Sequence, residues 1–123
     1  MVTLDSARGT QARVRGDVRA LPFGRDAFEL VVCDSVLDTW QGPGHQSAVA
    51  EFKRVLAPGG SLLLVTAAQE GSEQFGRARL TGIDELSHWM EGLSLIEILY
   101  VRVEYPAAAG VRAQWAVAAR HPL

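Results

Sequence analysis

Four aspartates and one histidine stand at the ends of apolar runs, where polar side chains can do chemistry. Asp5 closes the β-prone run Val2-Thr3-Leu4, and Asp17 follows Ala12–Arg15. Asp34, Ser35 and Asp38 come just after Phe28–Cys33, the compact apolar stretch FELVVC. A carboxylate can accept hydrogen bonds from hydroxyls or amines on both of its oxygens. Asp and Ser also form turns through their own backbones, and that is the competing reading for each of these positions. His45 follows Gly42-Pro43-Gly44 at the start of a helical pattern. As a general base it must reach its proton directly or through one water.

Other chemistries lack their residues. His45, His88 and His121 make no metal-ligand spacing with one another or with Cys33. Asp34 and Asp38 fall in a loop, so their separation does not define a carboxylate pair. No nucleophile elbow or phosphate loop occurs. Cys33 is the single cysteine, so no internal disulfide can form, and it reads as core filler.

The elements that must hold these residues follow from the pattern. FELVVC lacks polar alternation, as expected for a strand covered on both faces. A helix is expected over about 45–56, with Val49, Phe52, Val55 and Leu56 on one face and Glu51, Lys53 and Arg54 outward. Pro58-Gly59-Gly60 stops it. Ser61–Ala67 is a second buried strand. Thr81 with Asp84 reads as a capping box, opening a helix whose stripe is Ile83, Leu86, Trp89, Met90 and Leu93. Ile96–Tyr105 and Val111–Arg120 form an antiparallel pair across PAAAG. With the short runs 2–4 and 12–15, the order is strand, strand, strand, helix, strand, helix, strand, strand. Helical crossovers imply parallel strands, and the terminal hairpin adds one antiparallel strand.

Composition bounds the answer. The chain has 123 residues, which suits a single domain over 1–123. A net charge of −2 gives no pull toward nucleic acid or anionic membrane. Five arginines in the first 25 residues (Arg8, Arg13, Arg15, Arg19, Arg25) read as a solvated edge, with an anion site as the other reading. Aromatic residues do not interleave with basic ones, so nucleic-acid partners are not expected. No signal peptide or membrane-length apolar run is seen, and a cytoplasmic location is expected.

Two stretches, GDVRALPFGRDAFELVVC and EFKRVLAPGGSLLLVTAA, resemble the C-terminal half of class I S-adenosylmethionine-dependent methyltransferases. The resemblance runs from about Gly16 to Ala68. It continues more weakly through WMEGLSLIEILYVRVEY and AQWAVAARHP. It implies an α/β, Rossmann-like fold with a mostly parallel sheet and a C-terminal antiparallel hairpin. It also implies roles. Asp17 would meet the adenine amine, Val18 would line the adenine slot, and Asp5 would hold the ribose hydroxyls. Asp34 would lie at the pocket rim. His45 and Asp38 are the candidate catalytic groups, in the region where relatives place substrate contacts.

The family's first strand, glycine-rich loop and following helix have no counterpart among these 123 residues. No GxGxG-type stretch occurs. The fold is therefore expected to be truncated. FELVVC should then carry an unpaired edge, and losing flanking helices should bare an apolar face. Either 2–4 or 12–15 slides into the vacancy, or a homodimer or larger protein partner covers it. The resulting expectation is an accessory, scaffold or regulatory module that binds no cofactor alone. The alternative is an S-adenosylmethionine-dependent methyltransferase of a small molecule, or an enzyme of altered reaction on that fold, completed by a partner. A fragment with no independent role is the third reading.

Overall fold

The computed structural model describes residues 4–5, 14–15, 17–38, 42–70, 79–105 and 110–123. The elements in chain order are β1 (Leu4–Asp5), β2 (Val14–Arg15), β3 (Phe28–Asp34), α1 (His45–Val55), β4 (Leu56–Ala67), α2 (Ile83–Trp89), β5 (Ser94–Tyr105) and β6 (Gly110–Arg120). This is the order that the sequence pattern requires.

β3, β4, β6 and β5 form one sheet in that spatial order. β3 pairs with β4 in parallel, with Val32 beside Leu63 and Cys33 beside Leu64. β6 lies antiparallel between β4 and β5. Three strands therefore run one way and β6 alone runs the other. β1 and β2 pair with each other in parallel, as a separate two-stranded sheet. Neither pairs with β3, so the described parts of the stretches 2–4 and 12–15, Leu4 and Val14–Arg15, do not take the expected place beside it; the rest of those stretches lies outside the described residues. Among the described residues β3 has one neighbour, β4, and its other edge has no ladder partner.

The core lies between the sheet and the helices. α1 buries Ala48, Val49, Phe52 and Val55 on one stripe. Ala48, Val49 and Phe52 pack with Leu62, Leu64, Leu86, Trp89, Trp115 and Val117 in one cluster. Each fully buried Leu or Val stabilises the fold by about 1.5–3 kcal/mol before entropy is counted. The opposite face of the sheet is different. Leu30, Val32, Leu63, Leu99 and Val101 all remain well exposed there, with Val32 at 60% and Leu30 at 55%. Their ladder partners place them together, since residues opposite each other point to one side. FELVVC was expected to be covered on both faces; among the described residues it is covered on one.

Two boundaries depart from expectation. β4 begins at Leu56, directly after α1, and takes Pro58-Gly59-Gly60 into the strand. Gly60 is needed there for space. A Cβ on it would sit 2.8 Å from the Ala57 carbonyl oxygen and 3.0 Å from that of Glu29. The Thr81–Asp84 capping box does not form either. α2 starts at Ile83 with Gly82 as its N-cap and has no side-chain cap bond. Thr81 is instead bridged to Ala68, and its carbonyl accepts the Trp115 indole N–H at 3.0 Å. A strand-like partner outcompetes the cap because it satisfies buried backbone groups.

Candidate functional site

Asp17 is held by its own turn. Its Oδ1 accepts the Arg19 backbone N–H at 2.9 Å, and both carboxylate oxygens accept Arg19 Nε–H at 3.0 Å. Arg19 Nη2 adds a further bond to Oδ2. The side-chain bonds from Arg19 hold the Asp17 carboxyl down at about 2, against an ordinary 3.8. Asp17 is thus in the turn-forming state, with its acceptor sites engaged by a cation two residues away.

Val18 faces an apolar groove of about 150 Å³ along the outer edge of β3. Leu21, Phe23 and Phe28 share it, with Phe23 and Phe28 edge to face at 5.0 Å. α1 fixes this loop by both backbone groups of Leu21. Glu51 Oε1 accepts the Leu21 N–H at 2.9 Å, and Arg54 Nη2 donates to the Leu21 carbonyl at 3.1 Å. Arg54 also bonds Glu51, and those bonds lower the Glu51 pKa. Glu51 and Arg54 were expected to point outward; they turn to the loop, where the Leu21 N–H and carbonyl offer them one donor and one acceptor. Their i, i+3 spacing on the helix was the available signal.

The groups beyond β3 mostly brace the backbone. Asp34 Oδ1 accepts the Ser35 hydroxyl at 3.0 Å, and Ser35 has φ of 57°, which turns the chain out of the strand. Asp38 is buried. Its Oδ2 accepts the Ala67 N–H at 3.2 Å, and its carbonyl accepts the Arg79 N–H at 2.8 Å. His45 is also buried, with Nε2 at 2.9 Å from the Leu37 carbonyl oxygen. A carbonyl only accepts, so Nε2 carries a proton. Gly44 precedes it at φ 105°, a left-handed position that lets the chain turn directly into α1. Cys33 lines the inner side of β3, and burial pushes its thiol up to about 12.

One polar cluster has no counterpart among the sequence candidates other than His45. Arg79 makes a two-pronged ion pair with Glu85, at 2.8 and 2.9 Å, and lies 5.6 Å from the Trp89 ring centre. His45 stacks parallel to Trp89 at 6.4 Å. Gln46 meets His88 Nε2 at 3.1 Å. These side chains line an open cleft of about 400 Å³ between α1 and α2. The Arg79 bonds lower the Glu85 pKa, and the nearby His45 adds to this. Arg79 lies just before the helix in a stretch with no periodicity, so pattern alone could not place it beside Trp89. Asp5 belongs to β1, and its side chain lies outside the described residues.

The parallel β3–α1–β4 unit, the pinned Leu-Pro-Phe loop and the terminal hairpin reproduce one half of a cofactor-binding α/β sheet. The sequence pattern of the family described as "Methyltransferase domain" matches residues 1–64. This chain belongs to that family. It is a class I S-adenosylmethionine-dependent methyltransferase-like domain. The match extends upstream of Gly16, where the resemblance carried by the motifs began. An uncharacterised chloroplastic methyltransferase of Arabidopsis thaliana is 39% identical over 62 residues, which are 50% of this chain and 17% of that protein. A S-adenosylmethionine-dependent methyltransferase from Methanosarcina mazei superposes with a TM-score of 0.73 at 17% identity, over 94% of this chain and 71% of that one. A Burkholderia thailandensis 1,6-didemethyltoxoflavin N1-methyltransferase, solved with its substrate and S-adenosylhomocysteine, superposes with a TM-score of 0.65 at 18% identity, over 92% and 53%. The chain thus spans about half of the Burkholderia protein and under a fifth of the Arabidopsis one. At these identities the solved structures show the fold.

The residues present fit S-adenosylmethionine only in part. Val18 and the groove offer an apolar wall. The Asp17 carboxylate is already bonded to Arg19, and among the described residues no glycine-rich turn lies at the β3 edge. The described residues hold no cluster of His, Cys, Asp or Glu fit for a metal, and no helix among them is long and apolar enough to cross a membrane.

Proposed function

We propose that this methyltransferase-family domain does not bind S-adenosylmethionine by itself and acts as an accessory or regulatory module through the surface its sheet leaves open. The observation that carries this reading is Asp17. In the family resemblance it is the residue that would meet adenine, and here its oxygens are taken by Arg19. The free β3 edge and the apolar face around Val32 supply the surface for a partner. The module works in the compartment where its partner is made, which we take to be the cytoplasm.

A second reading has its own support. The pinned loop, Val18 and the groove are in place, so a partner adding a strand beside β3 and a glycine-rich turn would complete a cofactor cradle. The complex would then transfer a methyl group to a small molecule, or catalyse another reaction on that scaffold. Binding at a preformed pocket would act mainly by positioning. His45 could take a proton at Nδ1 while Nε2 stays on the Leu37 carbonyl, but it and Asp38 are buried, so the substrate would have to reach into the loop beside them.

Amide chemical shifts report the difference. S-adenosylmethionine is titrated into the labelled 123-residue chain. The proposal expects the Asp17, Val18 and Arg19 amides to stay unmoved into the millimolar range. Saturable shifts there with micromolar affinity would overturn it.

A further inference from the structure

We propose that the β3 edge pairs with the β3 edge of a second copy of this chain, antiparallel and centred on Val31. This rests on the reading that the open surface is the working surface, and it names the partner and the register.

The sheet has two edges, and they differ. β5 breaks its register between Leu95 and Glu97 and carries Glu97 and Arg102 along its length. An irregular, charged edge resists pairing with another chain. β3 has its irregularity only at its start, between Phe28 and Leu30. Its middle, Leu30-Val31-Val32-Cys33, has no charge, no proline and no lysine. The donors and acceptors on its outer side have no partner among the described residues.

The strand is also self-complementary. Asp26 and Ser35 both have positive φ, 58° and 57°, so the chain turns away on either side of β3. Antiparallel pairing about a two-fold axis must centre on one residue, so that opposed side chains share a face. Centred on Val31, Leu30 faces Val32 of the second copy and Phe28 faces its Asp34. Glu29 faces Cys33, and no like charges are opposed. Centred on Leu30, Cys33 and Asp34 would have no opposite residue within the strand. Centred on Val32, it would set Leu30 against Asp34. The Val31 register alone pairs all seven residues and joins Leu30 and Val32 of both copies in one aliphatic patch. The apolar groove beside the edge adjoins that patch.

The test combines mass and register. Light scattering on the pure chain should give twice the 13.3 kDa chain mass at about 100 µM, where a dimer with micromolar Kd is nearly saturated. Val31→Cys should oxidise to a covalent dimer, since antiparallel partners lie within disulfide reach. The native chain should not. Val32→Lys should weaken the dimer by at least about 100-fold. Val32 is exposed, so a folded monomer is expected by circular dichroism; Leu30→Lys serves if it is not. A native monomer overturns the proposal. So does a dimer that Val31→Cys fails to lock, which would point to packing of the bare faces instead. S-adenosylmethionine is titrated into native and Val32→Lys chains in parallel. Binding by the monomeric variant would end the functional reading and leave the interface standing. A native monomer that ignores S-adenosylmethionine would do the reverse.

Discussion

Single residues here are mostly committed to structure, and the ones closest to the site show why. Asp38 and His45 each satisfy a backbone group of the loop between β3 and α1 or of the end of β4. Losing either partner would leave a buried polar group unmet, so both positions are constrained before any chemistry is asked of them. Thr66 is the contrasting case. It is fully buried in β4, and its hydroxyl has no hydrogen-bond partner among the described residues. Val fills the same space without a donor to desolvate. Thr66→Val should therefore raise stability by about 1 kcal/mol, read as a higher midpoint in urea with an unchanged slope. A lower midpoint would mean that the hydroxyl is satisfied. The carboxylates at strand ends were legible in the sequence because their positions follow from the strands. Their partners were not. Nothing in the spacing says that Arg19 folds back on Asp17, or that Arg79 crosses to Trp89, because both contacts depend on loop paths that carry no periodicity.

Elements explain how the loop of residues 17–23 keeps its shape. α1 holds Leu21 through Glu51 and Arg54, and the loop in turn lines the groove beside β3. Glu51→Ala should cost about 1–2 kcal/mol, the range for charged, partly buried hydrogen bonds. Because Arg54 lowers the Glu51 pKa, the clamp's contribution is complete above the ordinary glutamate value of 4.5. It is lost as pH falls through the lowered value. The stability gap between native and Glu51→Gln chains should therefore be full at neutral pH and close in acid. Equal stability at pH 7 would show the clamp to be idle. At this scale the sequence was informative. Apolar runs and helical stripes placed all eight elements in order. What it misjudged were the seams. Pro58-Gly59-Gly60 looks like a stop yet runs into β4, because Gly60 lets β4 pass close to β3. Thr81 looks like a cap yet serves a bridge to Ala68.

At the scale of the whole molecule, one asymmetry organises the rest. Both helices bury their stripes against one face of a four-stranded sheet, while Leu30, Val32, Leu63, Leu99 and Val101 stay open on the other. These aliphatic side chains lie together on that face, the kind of surface the proposed pairing would use. An unpaired β3 beside it adds backbone donors and acceptors to the same region. The methyltransferase family explains the half that is built. On the proposed reading, the open edge is where a second chain completes that half. A crystal structure of the 123-residue chain, grown with excess S-adenosylmethionine, tests this most directly. It should show Asp17 bonded to Arg19, β3 paired across a two-fold axis, and no cofactor on either copy. S-adenosylmethionine seated against Asp17 and Val18 of a single protomer would contradict it.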